Sequence, residues 1–330
     1  MRTIKFETFG EPADVLTVVD VPDPEPRQGK GQVRVRMTHR PINPSDLLFI
    51  RGQYGIKPRL PAVPGFEGVG RIDLIGEDST AIETGQRVVV MGVPGTWQEM
   101  VITRATQLIP VPDDVSDQAA AQLTVNPTTA WVMLTKELAL NEGDWLLQTA
   151  AGSTLGRIIL QIAKLRGIKT VNFVRRPEQV QELLDLGADA VICTEEPESH
   201  PVEDVMKLTR GQGVHAAIDA VGSLTGARAA KCLQPGGTLL VYGLLSGERM
   251  PLDPGDLIFK ESTVRGFWLS RWFQRTPPEE ARTTMEEVMA MMAAGQINPP
   301  VEAEYDLADV AAAVEHAERP GRAGKVLLTG

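Results

Sequence analysis

Between Trp145 and Val174 the hydrophobic pattern changes period twice. Trp145-Leu-Leu is a short apolar run that gives way, through Gln148-Thr149, to the small residues Ala150-Ala151-Gly152-Ser153. From Thr154 the apolar positions recur at helical spacing, with Leu155, Ile158, Ile159 and Ile162 on one face, until Gly167 stops the pattern. Thr170-Val-Asn-Phe-Val174 then reads as a second strand. The stretch therefore predicts a βαβ unit with a tight turn between its first strand and its helix. Such a turn lets a pyrophosphate approach backbone N–H groups at the helix N-terminus.

The pattern elsewhere divides the chain. Up to about residue 110 it predicts short strands and turns: Val15–Val19, the alternating Gln32-Val-Arg-Val-Arg36, Gly68–Ile72, Arg87–Val90 and Gln98–Val101. Pro22-Asp-Pro-Glu-Pro26 is a rigid turn segment. From Ser116-Asp117, a helix start before Gln118–Leu123, strands alternate with helices. Asn126-Pro127 breaks the first helix, and Thr128–Leu138 reads as another. Ala190–Cys193, Ala216–Asp219 and Thr238–Tyr242 read as short buried strands, a rhythm that means a parallel sheet covered on both faces. Beyond Phe267 the pattern is helical, over Pro277–Ala294 and Ala308–Glu315, and this tail is expected to rejoin the first lobe. The fold class is α/β, with residues 1–120 and 268–330 forming a β-rich domain and residues 121–267 a doubly wound parallel-sheet domain.

Composition narrows the function. The chain has 330 residues, enough for two domains with sizeable cores, and 42% of them are hydrophobic. The net charge of −10 argues against general binding to nucleic acid or to anionic membranes. Attraction for a phosphorylated ligand must then be local. Cys193 and Cys232 are too few for a disulfide framework, and a cytoplasmic location is expected. No apolar run approaches the roughly 18 residues of a membrane span, and no targeting segment precedes the first strand-like pattern.

The turn itself is an imperfect G-x-G-x-x-G. Ala150 and Ser153 stand at the first two glycine positions and Gly156 at the third. Where an NAD site carries Asp or Glu, about 20 residues on, this chain has Arg175-Arg176. Two fixed cations suit the 2′-phosphate of NADPH. The alternative for this pair is a solvated basic turn.

Pro41-Ile-Asn-Pro-Ser-Asp46, Gly52-Gln-Tyr-Gly55, Leu60-Pro-Ala-Val63, Val125-Asn-Pro127, Leu257-Ile-Phe-Lys260 and Arg265-Gly-Phe-Trp-Leu-Ser270 carry a resemblance. Across essentially its whole length the chain resembles the zinc-free medium-chain dehydrogenase/reductase superfamily, and within it the 2-enoyl thioester reductase branch, with quinone oxidoreductases next nearest. The resemblance implies a GroES-like catalytic lobe, a Rossmann lobe, NADPH as cofactor and often a homodimer paired through the Rossmann sheet edges. Zinc alcohol dehydrogenases of the superfamily carry a Cys near Asn43 or Pro44 and a His in Gly-His-Glu. Here the latter reads Gly65-Phe66-Glu67, and Phe cannot ligate. His39, His200, His215 and His316 show no ligand spacing. No metal is expected.

Without a Lewis acid the accessible chemistry is hydride addition to a polarised C=C or a quinone. Charge building on the substrate oxygen then needs a donor. The resemblance makes Tyr54 that donor, the alternative being a loop tyrosine packing one edge. It places Asn43, Phe267 and Trp268 by the nicotinamide and Asn43, Phe66 and Trp268 at the substrate pocket, the alternatives being an Asx-type turn before Pro44 for Asn43 and a core aromatic pair for Phe267 and Trp268. The branch usually has Asn where Phe66 stands, and Phe66 would narrow or dry that pocket. By alignment Thr129, Ala151, Gly152, Ser153, Thr154, Leu155, Gly156, Arg175, Arg176, Tyr242, Gly243 and Lys325 fall at cofactor positions; a purely structural role is the alternative for Thr129, Tyr242, Gly243 and Lys325. Three functions follow: reduction of an enoyl-CoA or enoyl-ACP thioester, quinone reduction, or non-catalytic NADPH binding.

Overall fold

The computed structural model describes residues 1–27, 31–76, 82–196 and 198–330. They form two compact units, one of Met1–Thr128 with Arg282–Gly330, the other of Thr129–Ala281.

The second unit is built as the alternating pattern predicts. Its elements run β1 (Trp145–Gln148), α1 (Thr154–Arg166), β2 (Lys169–Val174), α2 (Glu178–Asp185), β3 (Ala190–Cys193), α3 (Pro201–Leu208), β4 (Val214–Asp219), α4 (Ser223–Lys231), β5 (Leu233–Val241), α5 (Pro254–Phe259) and β6 (Thr263–Gly266). The six strands are all parallel, in the order β3-β2-β1-β4-β5-β6. That is the doubly wound order whose switch point lies between β1 and β4, where ligands of such sheets bind. Helix α1 buries Leu155, Ile158, Ile159 and Ile162, the face read from the sequence. Gly167 caps it in the left-handed region, φ 64°, a conformation most side chains avoid. Fully burying a leucine or isoleucine contributes about 1.5–3 kcal/mol, so this face fixes α1 against the sheet. Thr238–Val241 of β5 pairs with β6, which ends the sheet.

The first unit holds a seven-stranded sheet. Its central strand, Gln32–Pro41, pairs antiparallel with Val69–Ile75, Met100–Arg104 and Lys325–Thr329. Its alternation puts Val33, Val35 and Met37 into a core with Ile72, Val88, Val90 and Leu108. A second core gathers Phe6, Phe49, Trp97, Leu307 and Val314. The tail joins this unit, but not as helices alone. Val301–Asp306 and Lys325–Thr329 are strands at one end of the sheet. Val301-Glu-Ala-Glu-Tyr305 alternates apolar and polar residues as a half-buried strand does, and Val326-Leu-Leu328 is a short apolar run; the sequence expectation, which follows the two helical stretches, includes neither. Similarly, Asn126-Pro127 begins rather than breaks a helix, Asn126–Val132, since proline is tolerated in a first turn. Pro12–Val15 is a short helix, also opened by proline, where the sequence pattern starts a strand.

Candidate functional site

In the second unit the turn after β1 meets the demands of an anion cradle by unusual residues. Ala150, at the first glycine position, is left-handed with φ 51°. The chain keeps glycine's backbone there while adding a Cβ. Gly156 must be glycine for space: a Cβ would sit 2.3 Å from the Ala151 carbonyl oxygen. Ser153 caps α1, its Oγ accepting the Gly156 N–H at 3.1 Å. Among the described residues the N–H groups of Gly152, Thr154 and Leu155 have no acceptor in the chain. Three unpaired donors at a helix N-terminus fit a bound pyrophosphate.

Across the switch point lies a buried group that sequence reasoning missed. Asp219, at the end of β4, accepts the Thr149 hydroxyl at 2.6 Å and the N–H groups of Val221 and Gly222 at 3.1 and 2.8 Å. Thr149 Oγ in turn accepts the Ala220 N–H. This fastens the turn after β4 to the turn after β1. The only signal was a carboxylate closing an otherwise apolar strand. Tyr242 begins the turn after β5, its N–H bound to the Asp219 carbonyl. Its hydroxyl is buried without a partner, and burial together with the Asp219 charge pushes its pKa well above the ordinary phenol value. Gly243 leaves room for the Ala220 carbonyl, 2.6 Å from where a Cβ would lie.

The cation pair follows β2 as expected. Arg175 is exposed and Arg176 half-buried, and among the described residues neither forms an ion pair. The Cys193 thiol donates to the Arg175 carbonyl at 3.3 Å. Phe267 is buried beside β5, its N–H bonded to the Val241 carbonyl, and Trp268 opens the helix Leu269–Arg275. Thr129, nearly buried, lies in the helix Asn126–Val132.

The first unit brings Asn43 and Lys325 into a buried charge cluster and sets Tyr54 against Phe66. Asn43 precedes the helix Pro44–Ile50, and its N–H is accepted by Asp46 Oδ2 at 2.7 Å. Its side-chain Nδ2 donates to Glu67 Oε1 at 2.7 Å, while Glu67 Oε2 accepts the Val125 N–H at 2.8 Å. Asp46 and Glu67 have no solvent exposure, and the Lys325 ammonium, also buried, reaches the Ile42 carbonyl at 3.5 Å. Burial pushes Asp46 up to about 8 and Glu67 up to about 7. It drives Lys325 down to about 8, against the pull of both carboxylates. Phe66 stands edge-on to Phe49, ring centroids 5.2 Å apart, and the Tyr54 ring lies 5.5 Å from Phe66. A phenol thus lies against Phe66. Neither Asp46 nor Glu67 was singled out in the sequence as a member of the site, because nothing local ties residues 21 positions apart.

These residues fit NADPH: a turn with unpaired N–H groups, an orphaned tyrosine hydroxyl near Asp219, and, on the next strand's end, two cations outside any ion pair among the described residues. They do not fit zinc. Phe66 has no donor atom, the Asn43 amide nitrogen is engaged by Glu67, and no three His, Cys, Asp or Glu side chains gather as ligands among the described residues.

Family models match both units: the alcohol dehydrogenase GroES-like domain over residues 29–113 and zinc-binding dehydrogenase over residues 154–293. Over its whole length the chain is 34% identical to the Bos taurus mitochondrial enoyl-[acyl-carrier-protein] reductase, covering 88% of it. A Bacillus thuringiensis structure titled as an NADPH:quinone reductase superposes with a TM-score of 0.93 at 37% identity, over 100% of this chain and 98% of that one. The ETR1P/NADP/crotonyl-CoA complex superposes with a TM-score of 0.89 at 25% identity, over 100% and 99% respectively. A GroES-like unit and a doubly wound dinucleotide unit define the class, and the chain belongs to the medium-chain dehydrogenase/reductase superfamily. Within it, the relatives place the chain with the enoyl reductase and quinone reductase branches.

Proposed function

We propose that the protein is an NADPH-dependent oxidoreductase that reduces the C=C bond of an α,β-unsaturated acyl thioester, without zinc. The observation that carries this is the Tyr54–Phe66 pair. A phenol is held against an apolar ring at the position where zinc relatives keep a ligand. NADPH, when bound, supplies the hydride to the substrate Cβ. Tyr54 then donates its O–H in a hydrogen bond to the enolate oxygen as charge builds there, and a proton drawn ultimately from solvent adds at Cα, which closes the saturated thioester. Phe66 keeps that position dry, which strengthens the hydrogen bond. The family resemblance assigns Asn43 of the first unit, and Phe267 and Trp268 of the second, to nicotinamide positions. The pyrophosphate rests on residues 151–156, Arg175 and Arg176 take the 2′-phosphate, and the resemblance adds Thr129, Tyr242 and Gly243 of the same unit, and Lys325 of the first unit, as cofactor residues.

Likeness to a quinone reductase structure favours a second substrate class on the same site. Tyr54→Phe separates the two. A positioned acid typically contributes 10²–10⁴ in rate, so the variant is expected to lose about that factor with crotonyl-CoA and to keep its NADPH affinity. A quinone takes its protons from water and loses much less. Wild-type rates with crotonyl-CoA in the variant would overturn the assignment.

The homodimer and cytoplasmic location belong to the same reading. Strand β6 is a sheet edge, and beside it α5 carries Ile258 and Phe259, the latter 85% exposed. An open edge with exposed apolar residues favours pairing with a second copy. No described helix is long and apolar enough to cross a membrane, and two buried free thiols suit a reducing compartment.

A further inference from the structure

The second unit contains a buried cation that none of the proposed steps uses. Arg157 is the fourth residue of α1 and only 7% exposed. Its Nε donates to the Gly152 carbonyl at 3.2 Å, and its Nη1 pairs with Glu182 Oε1 at 2.8 Å. Gly152 lies in the turn with unpaired N–H groups. Glu182 lies on α2, which begins three residues after Arg175. The same helix places the Gln179 carboxamide against Gly152: a Cβ on Gly152 would meet Gln179 Nε2 at 2.0 Å. The Arg157 hydrogen bond holds the Glu182 carboxyl below its usual range, and Arg176 adds to that pull. One guanidinium therefore joins the turn after β1 to the helix after β2.

We propose that Arg157 and Glu182 are positioning residues that hold the pyrophosphate turn and the 2′-phosphate segment in one register, so that NADPH meets both sites at once. Preorganisation of this kind raises affinity by removing the cost of ordering two mobile segments on binding. The inference rests on the cofactor reading above. It also makes a prediction opposite to simple electrostatics. Glu182 is a negative charge near a site for anions, so its field alone opposes NADPH, whereas its tie to Arg157 assists it.

The test is calorimetric binding of NADPH, NADH and 2′,5′-ADP to the wild type, Arg157→Leu, Glu182→Gln and the double variant, with thermal unfolding of each. Glu182→Gln is expected to weaken NADPH and 2′,5′-ADP by about tenfold and NADH by less than threefold. Arg157→Leu should do at least as much, and the double variant no more than Arg157→Leu alone, since coupled residues are not additive. Glu182→Gln sits on an exposed carboxylate, so it keeps the test valid if Arg157→Leu fails to fold. Unchanged or tighter NADPH binding in Glu182→Gln overturns the proposal, as does equal weakening of NADPH and NADH. A wild type that binds NADH as well as NADPH overturns the cofactor reading instead, which separates the two failures.

Discussion

The two units solve the placement of polar groups in opposite ways. In the nucleotide unit the site consists mostly of backbone: unpaired N–H groups of a turn, carbonyl oxygens approached by Gly156 and Gly243, and cations left in solvent. In the β-rich unit it consists of side chains withdrawn from water, with Asn43, Asp46, Glu67 and Lys325 all buried. Backbone cradles tolerate exposure because their donors cost little to leave in water. Buried charges persist only where each has a partner. The first arrangement is therefore local and robust, and the second depends on segments from three distant parts of the chain.

The sharpest way to break this comparison is to remove the lysine of the buried cluster. Lys325→Met keeps the length and apolar character of the stem but leaves Asp46 and Glu67 unbalanced. Stranding a buried charge costs about 3–5 kcal/mol, and this range is expected at pH 8 by urea unfolding. At pH 5 both carboxyls take up protons and the loss shrinks. A loss under about 1 kcal/mol at pH 8 would mean that Lys325 does not balance the pair.

How far the sequence reached follows the same divide. The 3.6-residue period of α1, its Gly167 stop and the placement of Arg175-Arg176 are all written within some 30 consecutive residues, and the structure reproduces them. The parallel sheet followed from strand–helix alternation, while the order of its six strands comes from the structure alone. The Asp46–Glu67–Lys325 cluster was not legible. Its members lie 21 and 258 positions apart, and only pairing of Lys325–Thr329 with the strand Gln32–Pro41 brings the last to the first. The tail strands flank a helical stretch, and beside it the five-residue alternation Val301–Tyr305 and the three-residue apolar run Val326–Leu328 are short signals that went unassigned. Asp219 was visible as a residue but not as a clamp, since its partners Thr149 and Gly222 are set by the sheet order.

Glu67→Gln gives a smaller effect with a distinctive pH dependence. A carboxyl raised on folding binds its proton more tightly in the native state. Its contribution is full below the unfolded value of 4.5 and is lost as pH rises through about 7. Asp46 acts in the same direction through about 8. Lys325, depressed to about 8, has the contrary sign: its contribution is present above the unfolded value of 10.5 and is lost as pH falls through about 8. Together they place the cluster's least stable point near pH 8. Burial lowers His39, whose contribution is lost as pH falls below its ordinary range, but it is unchanged by the substitution and cancels in the difference. Stability of Glu67→Gln minus that of wild type should therefore rise between pH 5 and 8, by roughly 2–3 kcal/mol. The uncharged amide can still accept one of the two N–H groups, and Asn43 Oδ1, buried without a partner, is available to its NH₂ after an amide flip. A flat difference across that range would show that Glu67 is ionised in the native protein throughout.

The smallest effect probes the nucleotide unit, at the residue where its backbone logic is least conventional. Ala150 holds φ 51° with a Cβ in place. The left-handed region costs a non-glycine residue about 1–2 kcal/mol, and Ala150→Gly removes that cost. The same change enlarges the freedom of the unfolded chain, which lowers stability by about 0.4–1 kcal/mol. The two terms oppose each other and the first is larger, so the net expectation is a gain of roughly 0.5 kcal/mol, a rise of about 1–2 °C in Tm for a unit of this size. Ala150→Val should go the other way by more than 1 kcal/mol, because a β-branched side chain is a worse fit to that region. The pair of variants removes the ambiguity of either alone. Glycine lowering stability while valine leaves it unchanged would mean an ordinary right-handed or extended turn, and the first glycine position of this cradle would then be vacant in conformation as well as in sequence.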